Sequence, residues 1–205
     1  MVLLVKQKIN LLPIPKKTAL VNLSYASFNA ALRDANTIMS AGPTSIETID
    51  SRVLNLAKSD IIWESIAEFF PEESIDNDTS KTIHKKSVEG INLIEFCADS
   101  DEALKAAMQP LLNILNSDTS VSHAYTIAWG DDVKKIWGMR KKAVGLLGNT
   151  QGEARPMAFV EDTAVPPEHL ADFIVEFRAL LDSHNLQYGM FGHVDAGVLH
   201  VRPIV

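Results

Sequence analysis

Two histidines seven residues apart carry the clearest chemical signal in this chain. His193 and His200 bracket Val194-Asp195-Ala196-Gly197-Val198-Leu199, in which short apolar runs flank a turn-forming Asp-Ala-Gly. That pattern predicts a β-hairpin. A two-residue loop at Ala196-Gly197 sets Asp195 opposite Val198, Val194 opposite Leu199 and His193 opposite His200. Directly paired positions hold their Cβ atoms about 4.5–5.5 Å apart, so both imidazoles could reach one ion. Ala196 fits a type I′ turn poorly, because that turn needs φ > 0 at both central residues. A three-residue loop with Gly197 left-handed is the substitute, and it makes the facing pair approximate. A catalytic metal normally takes three protein ligands and an open position. Asp195 is a candidate third ligand, although its turn position suits an Asx-turn equally well. A pair of hairpin histidines serving hydrogen bonds is the competing reading. His84, His123, His169 and His184 stand alone, with surface or packing roles as the default.

A second residue is out of place by its chemistry. At about 100° per residue, the segment Asp131–Leu147 gathers Val133, Ile136, Ala143, Val144 and Leu147 into one apolar stripe with Arg140 in its middle. A guanidinium on a packed face is costly unless paired. It therefore needs a carboxylate, either from the protein, with Glu161 and Asp162 as candidates, or from a ligand. Snorkelling past the core edge is the other structural alternative. Lys134, Lys135, Lys141 and Lys142 fall on other sides, as a solvated face.

The elements that must position these groups follow from the pattern. A strand-like lead ends at Leu12-Pro13-Ile14-Pro15, and residues 1–17 read as an extended linker. Thr18 to Ser24 is a strand, and Ser27 caps a helix with Phe28, Leu32, Ala35 and Met39 at helical spacing. Thr44 to Ile49 is a strand, followed by a less regular helical region from Val53 to Phe69. Pro71 to Lys86 reads as a loop. Ile91 to Cys97 is a strand, and Asp99 or Ser100 caps a helix carrying Leu104, Met108, Leu111, Leu112 and Leu115. Val121 to Trp129 is a strand, Asp131 to Leu147 a helix, Met157 to Asp162 a strand and Pro166 to His184 an amphipathic helix. Several strands look one-sided. The expected fold is therefore α+β, an antiparallel sheet with helices packed on one face, built from repeated ferredoxin-like β-α-β units. Residues 18–205 form one domain.

Bulk properties narrow the function. The 205 residues include 46% apolar and 22% charged, ordinary for a globular protein, and the net charge is −7. Such a charge argues against a general nucleic-acid binder. The single cysteine, Cys97, excludes an intrachain disulfide and fits a reducing compartment; its strand setting makes it an inert thiol. No segment is apolar and long enough to span a bilayer, and the start lacks a signal-peptide pattern. A cytoplasmic protein is expected.

Gly192-His193…Gly197-Val198-Leu199-His200 resembles the Gly-His-x-x-x-Gly-x-Leu-His motif of the C-terminal substrate domain of FAD-linked oxidases, among them D-lactate dehydrogenases, glycolate oxidase and D-2-hydroxyglutarate dehydrogenases. Val194-Asp195-Ala196-Gly197-Val198-Leu199-His200-Val201-Arg202-Pro203 looks like the branch fused to an iron–sulfur domain. Ile136-Trp137-Gly138-Met139-Arg140 is similar to the family's Trp-x-x-Arg helix, and Glu161 to Pro166 to its strand end. The resemblance covers nearly the whole chain. It implies that His193 and His200 are catalytic ligands of a divalent metal, zinc by donor type, and that Arg140 clamps the substrate carboxylate. Two departures stand out. Many members have Asp-Gly-Asn at the turn, where this chain has Ala196-Gly197-Val198. Many have asparagine two residues after the second histidine, where this chain has Arg202; a second arginine suits a second carboxylate, and so D-2-hydroxyglutarate over D-lactate.

The resemblance further implies a glutamate beyond this chain that completes the metal site, FAD held mainly on a separate domain, and an iron–sulfur cluster in another. The expected partners are a small 2-hydroxy acid and the FAD-binding domain, with no nucleic acid. On this reading the 205 residues are a substrate domain that does not turn over alone. The rival readings are a non-catalytic α+β ligand-binding or regulatory module and a domain whose task is docking to a partner. Neither requires converging histidines or a buried arginine.

Overall fold

A computed structural model describes residues 11, 13–70, 73–76, 84–117, 124–147, 156–158 and 160–205. The strand β1 (Lys17–Tyr25) runs into helix α1 (Phe28–Met39), which starts where the Ser27 hydroxyl accepts the Ala30 N–H. Strand β2 (Ser45–Asp50) ends on Asp50, whose carboxylate accepts the Val53 N–H and so caps helix α2 (Ser51–Lys58). Two short 3-10 turns follow, at Ile61–Ser65 and Ala67–Phe69. β3 (Glu73–Asp76) and β4 (His84–Ser87) pair with each other. The remainder is β5 (Gly90–Ala98), α3 (Asp101–Ser117), β6 (Ala124–Trp129), α4 (Asp131–Leu147), β7 (Val160–Ala164), α5 (Pro167–Ser183), β8 (Gln187–His193) and β9 (Val198–Ile204).

Seven strands form one sheet in the order β6-β1-β5-β2-β8-β9-β7, every neighbouring pair antiparallel. The unit β1-α1-β2 leaves a gap that β5 fills, and β5-α3-β6 leaves a gap filled by β1. This split β-α-β arrangement is the ferredoxin-like one. The unit β7-α5-β8 repeats it around β9 and extends the sheet from β2. The α+β class and its antiparallel β-α-β units are as the sequence implies.

The placement of the helices is a correction. α1, α3 and α5 pack on one face, against Ala19, Val21, Leu23, Ile94 and Phe96. α2 and α4 cover part of the other, against Leu20, Ile49, Ile91, Leu93 and Phe191. The strands look one-sided because Asn22, Ser24 and Glu47 occupy that second face, yet all three are buried. Polar residues there are sealed rather than solvated. Asn22 donates its amide to the Phe69 carbonyl (2.6 Å), and the Thr126 hydroxyl donates to the same oxygen (2.6 Å).

Other expectations shift at their edges. Within the stretch read as a loop from Pro71 to Lys86, residues 73–76 and 84–87 pair as strands, in a sheet of their own. β7 begins later than Met157; Pro156 makes an isolated bridge to Ile204, and the ladder with β9 is irregular between Val160 and Thr163. Ser100 takes the cap of α3, its hydroxyl accepting the Ala103 N–H. The strand-like lead over residues 1–10 and the start of the strand at 121–123 lie outside the described residues.

Candidate functional site

The turn between the histidines takes the alternative the sequence left open, with one more residue. Val194–Ala196 form a 3-10 turn and Gly197 is left-handed at φ 67°. A Cβ on Gly197 would lie 1.7 Å from the Val165 carbonyl oxygen, so the position admits glycine on space as well as on φ. The register then pairs His193 with Val198, Gly192 with Leu199 and Phe191 with His200. The direct His193–His200 pairing is thereby corrected: the two are diagonal neighbours on one face, with ring centroids 5.9 Å apart, edge to face. The four-residue loop has two residues more than the two-residue one, so the register shifts by two places, and a shift of two keeps both side chains on the same face.

Arg140 comes to this site from α4. Its guanidinium lies 4.9 Å above the Phe191 ring, and that ring is 5.0 Å from the His200 ring. Among the described side chains the carboxylate paired with Arg140 is Glu47 of β2; the side chains of Glu161 and Asp162, the candidates from sequence, are outside those described. Arg140 Nε donates to Glu47 Oε1 at 2.6 Å, and Nη2 meets the same oxygen. The other oxygen, Oε2, sits 2.9 Å from His193 Nδ1. Glu47 is fully enclosed, its side chain 3% exposed, whereas His193 is 53% exposed. A carboxylate oxygen beside Nδ1 favours the tautomer with the proton on that nitrogen, which leaves Nε2 for a ligand.

The helix motif has a mechanical explanation. Trp137 and Arg140 are three apart and share a face of α4. The Trp137 indole N–H donates to Glu95 Oε1 at 3.0 Å, while Arg140 takes Glu47. Glu47 pairs with Leu93 across β2 and β5, so Glu95 lies diagonally from it on the same face. Two carboxylates on neighbouring strands thus meet two donors one helical turn apart. Glu47 and Glu95 escaped the sequence reading. A signal existed, since each is an acid placed inside a β-type run.

Arg202 lies two residues beyond His200 on β9, on the same face and partly buried, about 7 Å further along the strand. The structure therefore brings His193, His200 and Arg140 together and places Arg202 on the same side of the sheet. His169 and His184 are exposed, away from this group. Cys97 is half-buried, and burial together with the Glu95 charge pushes its thiol up, as expected of an unreactive cysteine.

The metal reading can be tested on geometry. Two imidazoles on one face supply two donors, with His193 held by a carboxylate through its other nitrogen, the usual support for a metal-bound histidine. Among the described residues no group of three or more His, Cys, Asp or Glu is placed to hold an ion. The pair fits part of a coordination sphere, and the rest would come from outside these residues. Among the described residues no helix is long and apolar enough to cross a membrane.

Comparison with known proteins gives the family. The sequence pattern of FAD linked oxidases, C-terminal domain, matches residues 14–205. The chain is 55% identical over 201 residues to a D-2-hydroxyglutarate dehydrogenase of Pseudomonas putida, covering 97% of the chain and 19% of that protein. It is 46% identical over 201 residues to the D-2-hydroxyglutarate dehydrogenase of Escherichia coli, covering 96% and 19%. The chain thus spans about one fifth of the length of these relatives. In fold it is similar to a 4-ethylphenol oxidase from Gulosibacter chungangensis, with TM-score 0.56 and 9% identity over 94% of this chain and 40% of that one. It is also similar to an alkyldihydroxyacetonephosphate synthase, with TM-score 0.59 and 12% identity over 93% of this chain and 36% of that one. With the family pattern running over nearly its whole length, this chain belongs to the FAD-linked oxidases, as their C-terminal domain.

Proposed function

We propose that this domain is the substrate-binding part of a flavin-dependent dehydrogenase that oxidises a D-2-hydroxy acid, D-2-hydroxyglutarate before D-lactate, to the 2-oxo acid. The observation that carries the reading is the convergence of Arg140, His193 and His200 around Glu47 and Phe191. The relatives that match nearly all of the chain bear the name of that activity.

The residues divide the work. Arg140 binds the C1 carboxylate: its bond to Glu47 uses only the Nε–Nη2 edge, and a guanidinium has five N–H donors in a planar fork. Arg202 takes the distal carboxylate, which lactate lacks. His193 and His200 are the site's metal ligands in this proposal. A divalent cation there would polarise the C2 hydroxyl and lower its pKa. FAD, held on the remainder of the polypeptide, would supply the acceptor for the C2 hydride. The proton leaves to a group outside this chain. An iron–sulfur cluster in a further domain is proposed on the resemblance of the segment from Val194 to Pro203 alone. Because flavin and the last ligands lie elsewhere, these 205 residues by themselves are inactive.

The test uses the full-length flavoprotein. Anaerobic mixing with a panel of D- and L-2-hydroxy acids should bleach the flavin with D-2-hydroxyglutarate and leave L-isomers inert. Bleaching by none of them, with flavin and zinc bound, refutes the reading. Arg202→Ala should cost the dicarboxylate roughly 10–100-fold in kcat/KM, the worth of one charged hydrogen-bonded contact, and leave D-lactate within a few-fold. Equal losses on both would remove Arg202 from the distal site.

A further inference from the structure

Glu47 joins two groups that the proposed reaction uses separately. Its side chain is buried in the middle of the sheet, on β2, with β5 on one side and β8 on the other. Its own strand partner across β8 is His193. One carboxylate oxygen holds Arg140 and the other holds His193. A buried carboxylate is costly unless paired, and here both partners are side chains of the site rather than backbone.

We propose that Glu47 is the positioning residue of this site, locking the Nδ1–H form of His193 and the edge orientation of Arg140 in one step. This rests on the functional reading above. Accepting from Nδ1 leaves Nε2 of His193 as the nitrogen that meets a cation. Accepting from Nε and Nη2 of Arg140 leaves the remaining guanidinium donors for the substrate carboxylate. Cation and carboxylate are then received in a fixed mutual geometry, because one rigid strand residue sets both. A carboxylate that only filled a structural role would affect stability and neither binding event.

The conservative variant is Glu47→Gln, which fills the same space. Arg140 and His193 meet different carboxylate oxygens, and glutamine has only one oxygen, so one of the two donors faces an amide NH2. In the full-length flavoprotein, zinc affinity by chelator competition should weaken 10–100-fold, the usual cost of losing a metal-bound histidine's support. KM for D-2-hydroxyglutarate should rise about tenfold or more, with flavin content unchanged. Lys142→Ala, which releases a salt bridge tying α4 to Asp60 at an exposed position, should leave zinc affinity and KM within twofold. If Glu47→Gln also leaves both within twofold, or if Lys142→Ala shifts both as far, the proposal is overturned.

Should Glu47→Gln fail to fold, Arg140→Leu is compared with the double variant Glu47→Leu, Arg140→Leu. Replacing a whole buried ion pair by apolar residues is tolerated far better than breaking it. The double variant should bind zinc 10–100-fold more weakly than Arg140→Leu, and equal affinities would overturn the proposal. His193→Ala separates the two levels of argument. If it keeps wild-type zinc affinity, the reading of the site itself falls. If it loses zinc while Glu47→Gln does not, only the role of Glu47 falls.

Discussion

β2 carries two buried acids three residues apart, and they live opposite lives. Glu47 faces the α4 side of the sheet and Asp50 faces the α5 side. Both are 2% exposed, and both have an arginine nearby from a covering helix, Arg140 for one and Arg178 for the other. The difference lies in the remaining partners. Asp50 accepts backbone N–H groups, from Val53 and from Met190, each at 2.9 Å, and Arg178 stands off at 3.6 Å. Glu47 is held by side chains, Arg140 and His193. A carboxylate tied to backbone fixes where elements join: here the end of β2, the start of α2 and the middle of β8. A carboxylate tied to side chains fixes the aim of groups that still have donors or lone pairs to offer. The first is architecture and the second is a prepared site.

The sharpest way to break the comparison is to delete each acid and measure stability. Asp50→Ala strands two backbone donors and leaves Arg178 without its nearest buried carboxylate. The loss expected in urea unfolding of this chain is about 3–5 kcal/mol, the cost of removing one member of a buried pair. Glu47→Gln retains one acceptor and should lose clearly less. A larger loss for Glu47→Gln than for Asp50→Ala would reverse the assignment of the two roles.

How much of this was legible beforehand divides along the same line. Helices α1, α4 and α5 and the central strands follow from periodicity and caps, because each is a local matter settled within one turn or one strand. The α4 boundaries, Asp131 to Leu147, coincide with the reading from the stripe. The pairing of Arg140 with Glu47 spans 93 residues, and no local rule reports it. The sequence showed that Arg140 needed a carboxylate, offered Glu161, Asp162 or a ligand, and did not point to Glu47. The placement of α2 and α4 on the second face was missed for a related reason, since Asn22, Ser24 and Glu47 look solvated until something covers them. The histidines were placed on one face correctly although the register was two places off, because face depends on the parity of the shift alone.

The pH dependence of stability sharpens the contrast. Burial raises the Asp50 carboxyl from its ordinary 3.8 to about 6, against the opposing pull of the Val53 and Met190 N–H groups and the Arg178 charge. The folded state therefore holds that proton more tightly than the unfolded chain does. Its contribution to stability is greatest below pH 4 and declines as pH rises through about 6, above which the buried group must be ionised. The rise corresponds to about 3 kcal/mol at most. Measured as wild type minus Asp50→Asn, so that other titrations cancel, stability should fall between pH 4 and pH 6 and then level off. A difference that is flat across this window, or one that grows with pH, contradicts the burial argument.

The smallest effect concerns the second donor on α4. Trp137→Phe removes the indole N–H from Glu95 but preserves most of the ring, so the helix keeps its packing and loses one polar contact. The cost to stability should be about 1 kcal/mol. Arg140 lies one turn further along, tied to a different carboxylate on a different strand, and should keep its position. KM for D-2-hydroxyglutarate should then change by no more than about threefold in the full-length flavoprotein. A KM rise comparable to that of Glu47→Gln would mean that the two carboxylates hold α4 as a unit. The aim of Arg140 would then be a property of the whole helix rather than of Glu47.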